Sequence, residues 1–141
     1  MKDARIVVWT NPQSNLTGTT TNTGPTIDLY ASGVPVGGTF DGTGIFGIGV
    51  EIIQTYVSGT QSTDWTWDVS ADASTWKTSG GGFIGTIALT AAGNAKLKSN
   101  LETRDRYCRL VASNTGVGAS TSVAYPEDMG GLTGSIAPSN G

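Results

Sequence analysis

With 141 residues and 13% charged side chains, against about 25% in ordinary soluble domains, the chain fits one domain that leaves much of its surface to uncharged groups or to a partner. The net charge of −3 argues against a general phosphate-backbone binder, whose affinity comes from Lys and Arg displacing counterions. The absence of histidine excludes Ser–His and Cys–His nucleophilic arrangements, and a single cysteine excludes an intrachain disulfide.

Thr, Ser, Gly and Asn dominate the polar positions while strong helix formers are sparse, so the expectation is all-β. Residues 5–9 read as a short first strand, and the apolar group Ile6 to Trp9 is too brief for a signal-peptide core or a membrane span. Residues 10–24 have no apolar periodicity and read as an arm or long loop, in which the triplet Asn15-Leu16-Thr17 means nothing without a secretory signal. Residues 26–30 alternate as a strand, and 31–44 form a Gly-rich loop.

Gly42-Thr43-Gly44-Ile45-Phe46-Gly47 matches a dinucleotide fingerprint in letters only. That motif needs a helix after it to hold the pyrophosphate, and here it runs into the β-rich stretch 48–57, so no cofactor is expected and 44–57 reads as a central strand. In Asp64-Trp65-Thr66-Trp67-Asp68-Val69-Ser70, alternation puts Trp65, Trp67 and Val69 on one face. Residues 71–74 supply a turn, and Thr75-Trp76-Lys77 would return antiparallel. Each aromatic buries on the order of 150–250 Å², at about 25 cal/mol per Å², so the core should form at this hairpin.

Ser79 to Gly82 reads as a further loop, and 83–89 as a strand. Leu97 and Leu101 are spaced for a helix, yet Ala95, Leu97, Ser99 and Leu101 also alternate with polar residues after Gly93-Asn94, which favours a strand. Residues 106–112 form a second core strand with Cys108, Leu110 and Ala112 on one face, making Cys108 a buried thiol. A turn over 113–118 should join it in a hairpin to 119–125, and from Pro126 onward the small residues read as a tail. Short strands separated by Gly-rich turns give a β-sandwich or jelly roll, with an N-terminal strand and arm over 1–25, the sandwich over 26–125 and a C-terminal tail over 126–141.

Candidate chemistry is thin. Asp64, Asp68 and Asp72 are close enough in sequence to suggest a glycosidase pair or a calcium loop, but Asp64 and Asp72 fall at strand ends where turn bonding explains them, and no metal site is assigned. Lys96, Lys98, Arg104, Arg106 and Arg109 read as a salt-bridged or solvated face. If Trp65, Trp67 or Trp76 pointed outward, their rings would suit sugar stacking, which makes a tail-fibre or baseplate module binding host carbohydrate the alternative reading.

The order of features resembles the small cementing or decoration proteins of tailed-phage capsids: a long central strand from Gly44, the segment Asp-Val-Ser-Ala-Asp-Ala-Ser-Thr-Trp, an apolar strand, Arg106-Tyr107-Cys108-Arg109-Leu110 and a final Thr/Ser/Ala-rich strand. The resemblance implies a jelly roll that sits on the outer capsid surface as a homo-oligomer, dimer or trimer, and binds the major capsid protein without catalysis; the charge balance, the short N-terminal apolar group and the context of the glycine motif separately give the expectation of no nucleic acid, membrane or cofactor. Such a protein is made in the host cytoplasm and used on the virion. In this reading Thr10, Asn11, Asn15 and Thr17 of the arm, with Met129 and Leu132 of the tail, are the capsid-binding residues, ordered on docking and helped by multivalency. Deleting 1–25 or 126–141 should then leave a folded domain that binds shells poorly.

Overall fold

The computed structural model describes residues 8–9, 15–30 and 45–127. They form strands β1 (Asn15–Thr17), β2 (Thr21–Thr23), β3 (Ile27–Asp28), β4 (Phe46–Ser58), β5 (Gln61–Ser70), β6 (Lys77–Leu89), β7 (Asn94–Thr103), β8 (Tyr107–Gly116) and β9 (Ala119–Glu127). One sheet has the order β1-β9-β4-β7, the other β2-β8-β5-β6 with β3 also paired to β8, and every pairing is antiparallel. Apart from β2 with β3 and the β5–β6 hairpin, each strand's successor lies in the opposite sheet. This is the strand order of a jelly roll, so the expected fold class holds.

The core forms where the tryptophans predict. Trp65, Trp67 and Val69 of β5 are buried together with Ile48, Val50 and Ile52 of β4, Leu101 of β7, and Cys108, Leu110 and Ala112 of β8. Strand β9 turns small residues inward, Ser120, Ser122 and the partly buried Ala124, which leaves room for indoles. Trp9 sits edge-on to Trp65 with ring centroids 5.0 Å apart, and its Nε1 donates to Ser122 Oγ at 2.9 Å. Burial also explains Cys108, whose thiol is pushed up in pKa by desolvation and is closed to cross-linking in the folded protein.

Several expectations change. Val8 and Trp9 are not strand residues; they enter the core directly, while residues 5–7 lie outside the described residues. The tract expected to be an arm contains two strands, because a peptide without apolar periodicity can still complete a sheet edge through its backbone: Leu16 pairs with Ser120, and Asn22 with Ala112. Deleting 1–25 therefore removes core side chains and an edge of each sheet, and the truncated domain should not remain folded. Strand β3 stops at Asp28 rather than Tyr30, and β9 runs through Pro126 to Glu127.

Ser79 and the glycines at 80–82 belong to β6 instead of a loop. Val69 pairs with Lys77 and Trp67 with Gly82, so the residues between bulge out of the ladder. A side chain at Gly81 would lie 2.6 Å from Trp67 Cβ and 2.7 Å from Leu101 Cδ1, so only glycine lets the bulge rest on the core there. Trp76 precedes β6 rather than lying in it and is only half-buried. Strands β8 and β9 do not form a hairpin; β8 continues to Gly116 and the chain then crosses to the other sheet. The loop expected over 31–44 lies outside the described residues, and from Phe46 the dinucleotide-like motif is strand, with no helix for a pyrophosphate.

Candidate functional site

Strand direction gathers the short connections 18–20, 59–60, 90–93 and 117–118 at one end of the sandwich, the tip, as the registers Thr17 with Ala119, Thr21 with Ser113, Gln61 with Gly116 and Thr55 with Asn94 require. Each of the four carries or adjoins a glycine with positive φ: Gly18 (55°), Gly59 (66°), Gly93 (143°) and Gly116 (113°). Three of the loops, 18–20, 59–60 and 117–118, are tied to one another through backbone. Val117 and Gly118 N–H both donate to Thr60 O (3.1 and 3.0 Å), and Gly18 N–H donates to Gly118 O (3.0 Å). A side chain on Gly116 would collide with Thr60 O, and one on Gly118 with Ser58 O, so these loops touch backbone to backbone.

The tip rests on a buried polar layer. Gln54 donates through Nε2 to Thr63 Oγ1 and Ser120 Oγ, each at 2.8 Å, and its Oε1 accepts the Trp65 indole N–H at 3.0 Å. Thr63 Oγ1 donates to Asn114 Oδ1 (2.8 Å), and Asn114 Nδ2 reaches Thr20 O (3.1 Å) and Asn22 Oδ1 (2.9 Å). Ser120 Oγ donates to Gln61 Oε1. Gln54, Gln61, Thr63, Asn114 and Ser120 are all buried, so strands β2, β4, β5, β8 and β9 are joined by directional bonds rather than by apolar packing at this level.

No Asp, Glu, Lys or Arg occurs in residues 15–27, 52–63, 78–95 or 110–126, which supply the tip. Val117 is 90% exposed and Val57 53% exposed on this uncharged end.

The opposite end, the base, collects charge and aromatic rings. Arg106 makes a bidentate pair with Asp28 (2.8 and 2.9 Å) and lies near the Tyr107 and Tyr30 rings. The Arg106 guanidinium holds the Asp28 carboxyl below its ordinary value. Arg109 stacks 4.1 Å from the Trp76 ring centre and approaches Asp68 Oδ2 at 3.4 Å, while Ser79 N–H donates to Asp68 Oδ1 at 2.8 Å. Lys77 bonds Asp105 at 3.0 Å. Asp72 accepts the Thr75 and Ser74 N–H groups, each at 2.8 Å, and those bonds hold its pKa down as they fix the 71–75 turn.

These contacts account for the aspartates that the sequence singled out. Asp72 is a turn residue as expected, but Asp64 lies inside β5 rather than at its end, where it accepts from Thr86 Oγ1 at 2.6 Å. No cluster of three or more His, Cys, Asp or Glu side chains able to hold a metal occurs among the described residues. Of the five basic residues, Lys98 faces Glu51 at 3.8 Å, and Arg106 and Arg109 pair with Asp28 and Asp68, so these three are salt-bridged. Lys96 and Lys98 on β7 and Arg109 on β8 belong to opposite sheets, however, and the five do not share one face.

Of the proposed contact residues, Thr10, Asn11, Met129 and Leu132 lie outside the described residues. Asn15 and Thr17 lie on β1, in register with Thr121 and Ala119 of β9, so one edge of their backbone is engaged within the domain. The exposed Val57 and Val117 were not singled out from sequence, although the charge-free stretches around them were in plain view. Trp65 and Trp67 are buried and offer no ring to a sugar. No helix among the described residues is long and apolar enough to cross a membrane. No protein-family model, curated protein or solved structure matches this chain.

Proposed function

We propose that this chain is a structural protein of a tailed-phage virion, a decoration protein that binds the outer surface of the major capsid protein shell and stabilises it. The observation that carries the reading is the strand order, β1-β9-β4-β7 against β2-β8-β5-β6, which is the jelly roll that the sequence resemblance implies. The segments that bear the resemblance fall on its framework: the long central strand is β4, the Asp-Val-Ser-Ala-Asp-Ala-Ser-Thr-Trp segment closes the β5–β6 hairpin, and Arg106 to Leu110 opens β8.

The protein acts as a rigid block without catalysis, as a homo-oligomer, and its individual contacts are weak. Repetition over a closed shell turns weak contacts into firm retention, because each further contact is made at high effective concentration. Co-sedimentation with shells of the parent virus that lack the protein tests this. Saturation in fixed ratio to the major capsid protein, with shells that survive hotter treatment, is expected. Failure to bind shells, with capture on host cell-surface glycans, would replace the reading with a tail-fibre module, whose sugar contact would use exposed rings such as Phe83 and Tyr125, since Trp65 and Trp67 are buried and Arg109 already stacks on Trp76.

A further inference from the structure

The distribution of charge divides the molecule, and the tip is the end that stands out. We propose that the tip formed by loops 18–20, 59–60, 90–93 and 117–118 is the docking surface, and that its occupant is an uncharged protein surface with an apolar depression that receives Val117 and Val57. This rests on the shell-binding reading and assigns the face that makes the contact.

Three observations converge. The four loops and the strand ends that feed them contain no charged residue, whereas Asp28, Asp68, Asp72, Lys77, Asp105, Arg106 and Arg109 cluster at the base. A partner charge buried against the tip would lose its hydration and find no counter-charge, so the matching surface is neutral. Nucleic acid is disfavoured for the same reason, since the tip offers no cation to phosphate.

Second, Val117 on its loop and Val57 near the end of β4 are exposed at 90% and 53% beside loop residues that are otherwise Gly, Thr and Ala, and an apolar side chain displayed on a rigid neutral mount suits a small pocket. Third, the mount is preorganised. The bonds from Val117 and Gly118 to Thr60 and from Gly18 to Gly118, above the Gln54–Asn114–Ser120 layer, leave little loop freedom to lose on docking. The four loops hold eleven residues, fewer than the roughly 20–30 a side of a stable interface, so a tip-to-tip dimer would not hold and the contact must be repeated on an array.

The test is shell co-sedimentation at about 0.05 to about 0.5 M salt. It uses the unmodified chain, Val117→Asp, Val57→Lys, and Phe83→Asp, which alters a 62% exposed apolar side chain in β6 away from the tip. Melting temperatures establish that each variant folds. Half-saturation of the unmodified chain should change less than about twofold with salt, Val117→Asp and Val57→Lys should weaken it at least about tenfold, and Phe83→Asp should leave it unchanged. Saturable binding that folded Val117→Asp and Val57→Lys retain would overturn the tip while leaving the shell-binding reading in place. A steep fall with salt would overturn the neutral chemistry of the contact. No binding by the unmodified chain would overturn both.

Discussion

Replacing Gln54 by Leu tests the polar layer beneath the tip. Leucine nearly keeps the volume but removes two donated bonds, to Thr63 and Ser120, and the acceptor for the Trp65 indole N–H. Thr63 and Ser120 retain Asn114 and Gln61 as partners, so the group left without one is the Trp65 Nε1 in a buried site. The two lost bonds contribute about 1 kcal/mol each, and the orphaned N–H costs about 1–3 kcal/mol more. Burying the added apolar surface offsets about 1 kcal/mol. The net loss is about 2–4 kcal/mol, which at this chain length lowers Tm by about 6–12 °C. Urea unfolding measures it, with the slope m unchanged if the denatured state is unaffected. Adding Trp65→Phe removes the stranded donor, so the double variant should lose about 1–2 kcal/mol less than the sum of the singles. A Gln54→Leu loss below about 0.5 kcal/mol, or additive singles, would refute the claim that directional bonds hold this level of the core.

Gly116→Ala should destabilise by more than about 2 kcal/mol, since φ is 113° and the new methyl meets Thr60 O, and thermal melting will show it. Deleting residues 1–25 should abolish cooperative unfolding followed by near-ultraviolet circular dichroism, because Trp9 and both edge strands β1 and β2 are lost. Because Arg106 lowers the Asp28 pKa in the folded protein, the pair's stabilisation is whole above the unfolded value of 3.8 and is lost as pH falls through the lower folded value. Melting from pH 7 to pH 2 should therefore show a smaller acid decline for Asp28→Asn than for the parent chain. Cys108 should react with a thiol reagent only at the rate of unfolding, and fast labelling of the native protein would contradict its burial.

The apolar half of the fold was legible because alternation is a local signal: Trp65, Trp67 and Val69 announce a buried face, as do Cys108, Leu110 and Ala112. The edge strands β1 and β2 were not, since Thr, Asn and Gly carry no period and join their sheets through backbone bonds to residues near the other end of the chain. The same limit hid the change of sheet between β8 and β9, because a Gly-containing turn reads alike whether it closes a hairpin or crosses the sandwich. The segment 79–82, which includes most of the bulge, read as a loop because three successive glycines mark both, and only the approach of Trp67 and Leu101 to Gly81 separates them. The tip needed the topology, which alone brings four neutral stretches to one end.

The pairing of β2 with β8 and of β1 with β9 joins segments far apart in the chain, so both must wait for late strands during synthesis. The first strands leave the ribosome long before their partners exist, and such distant pairings place a jelly roll among the slower-folding topologies. A hydrophobic strand held waiting would seek other chains. A segment that is mostly Thr, Asn and Gly stays hydrated until β8 and β9 arrive, so the plain composition of residues 15–24 lowers the tendency of nascent chains to aggregate through these edges.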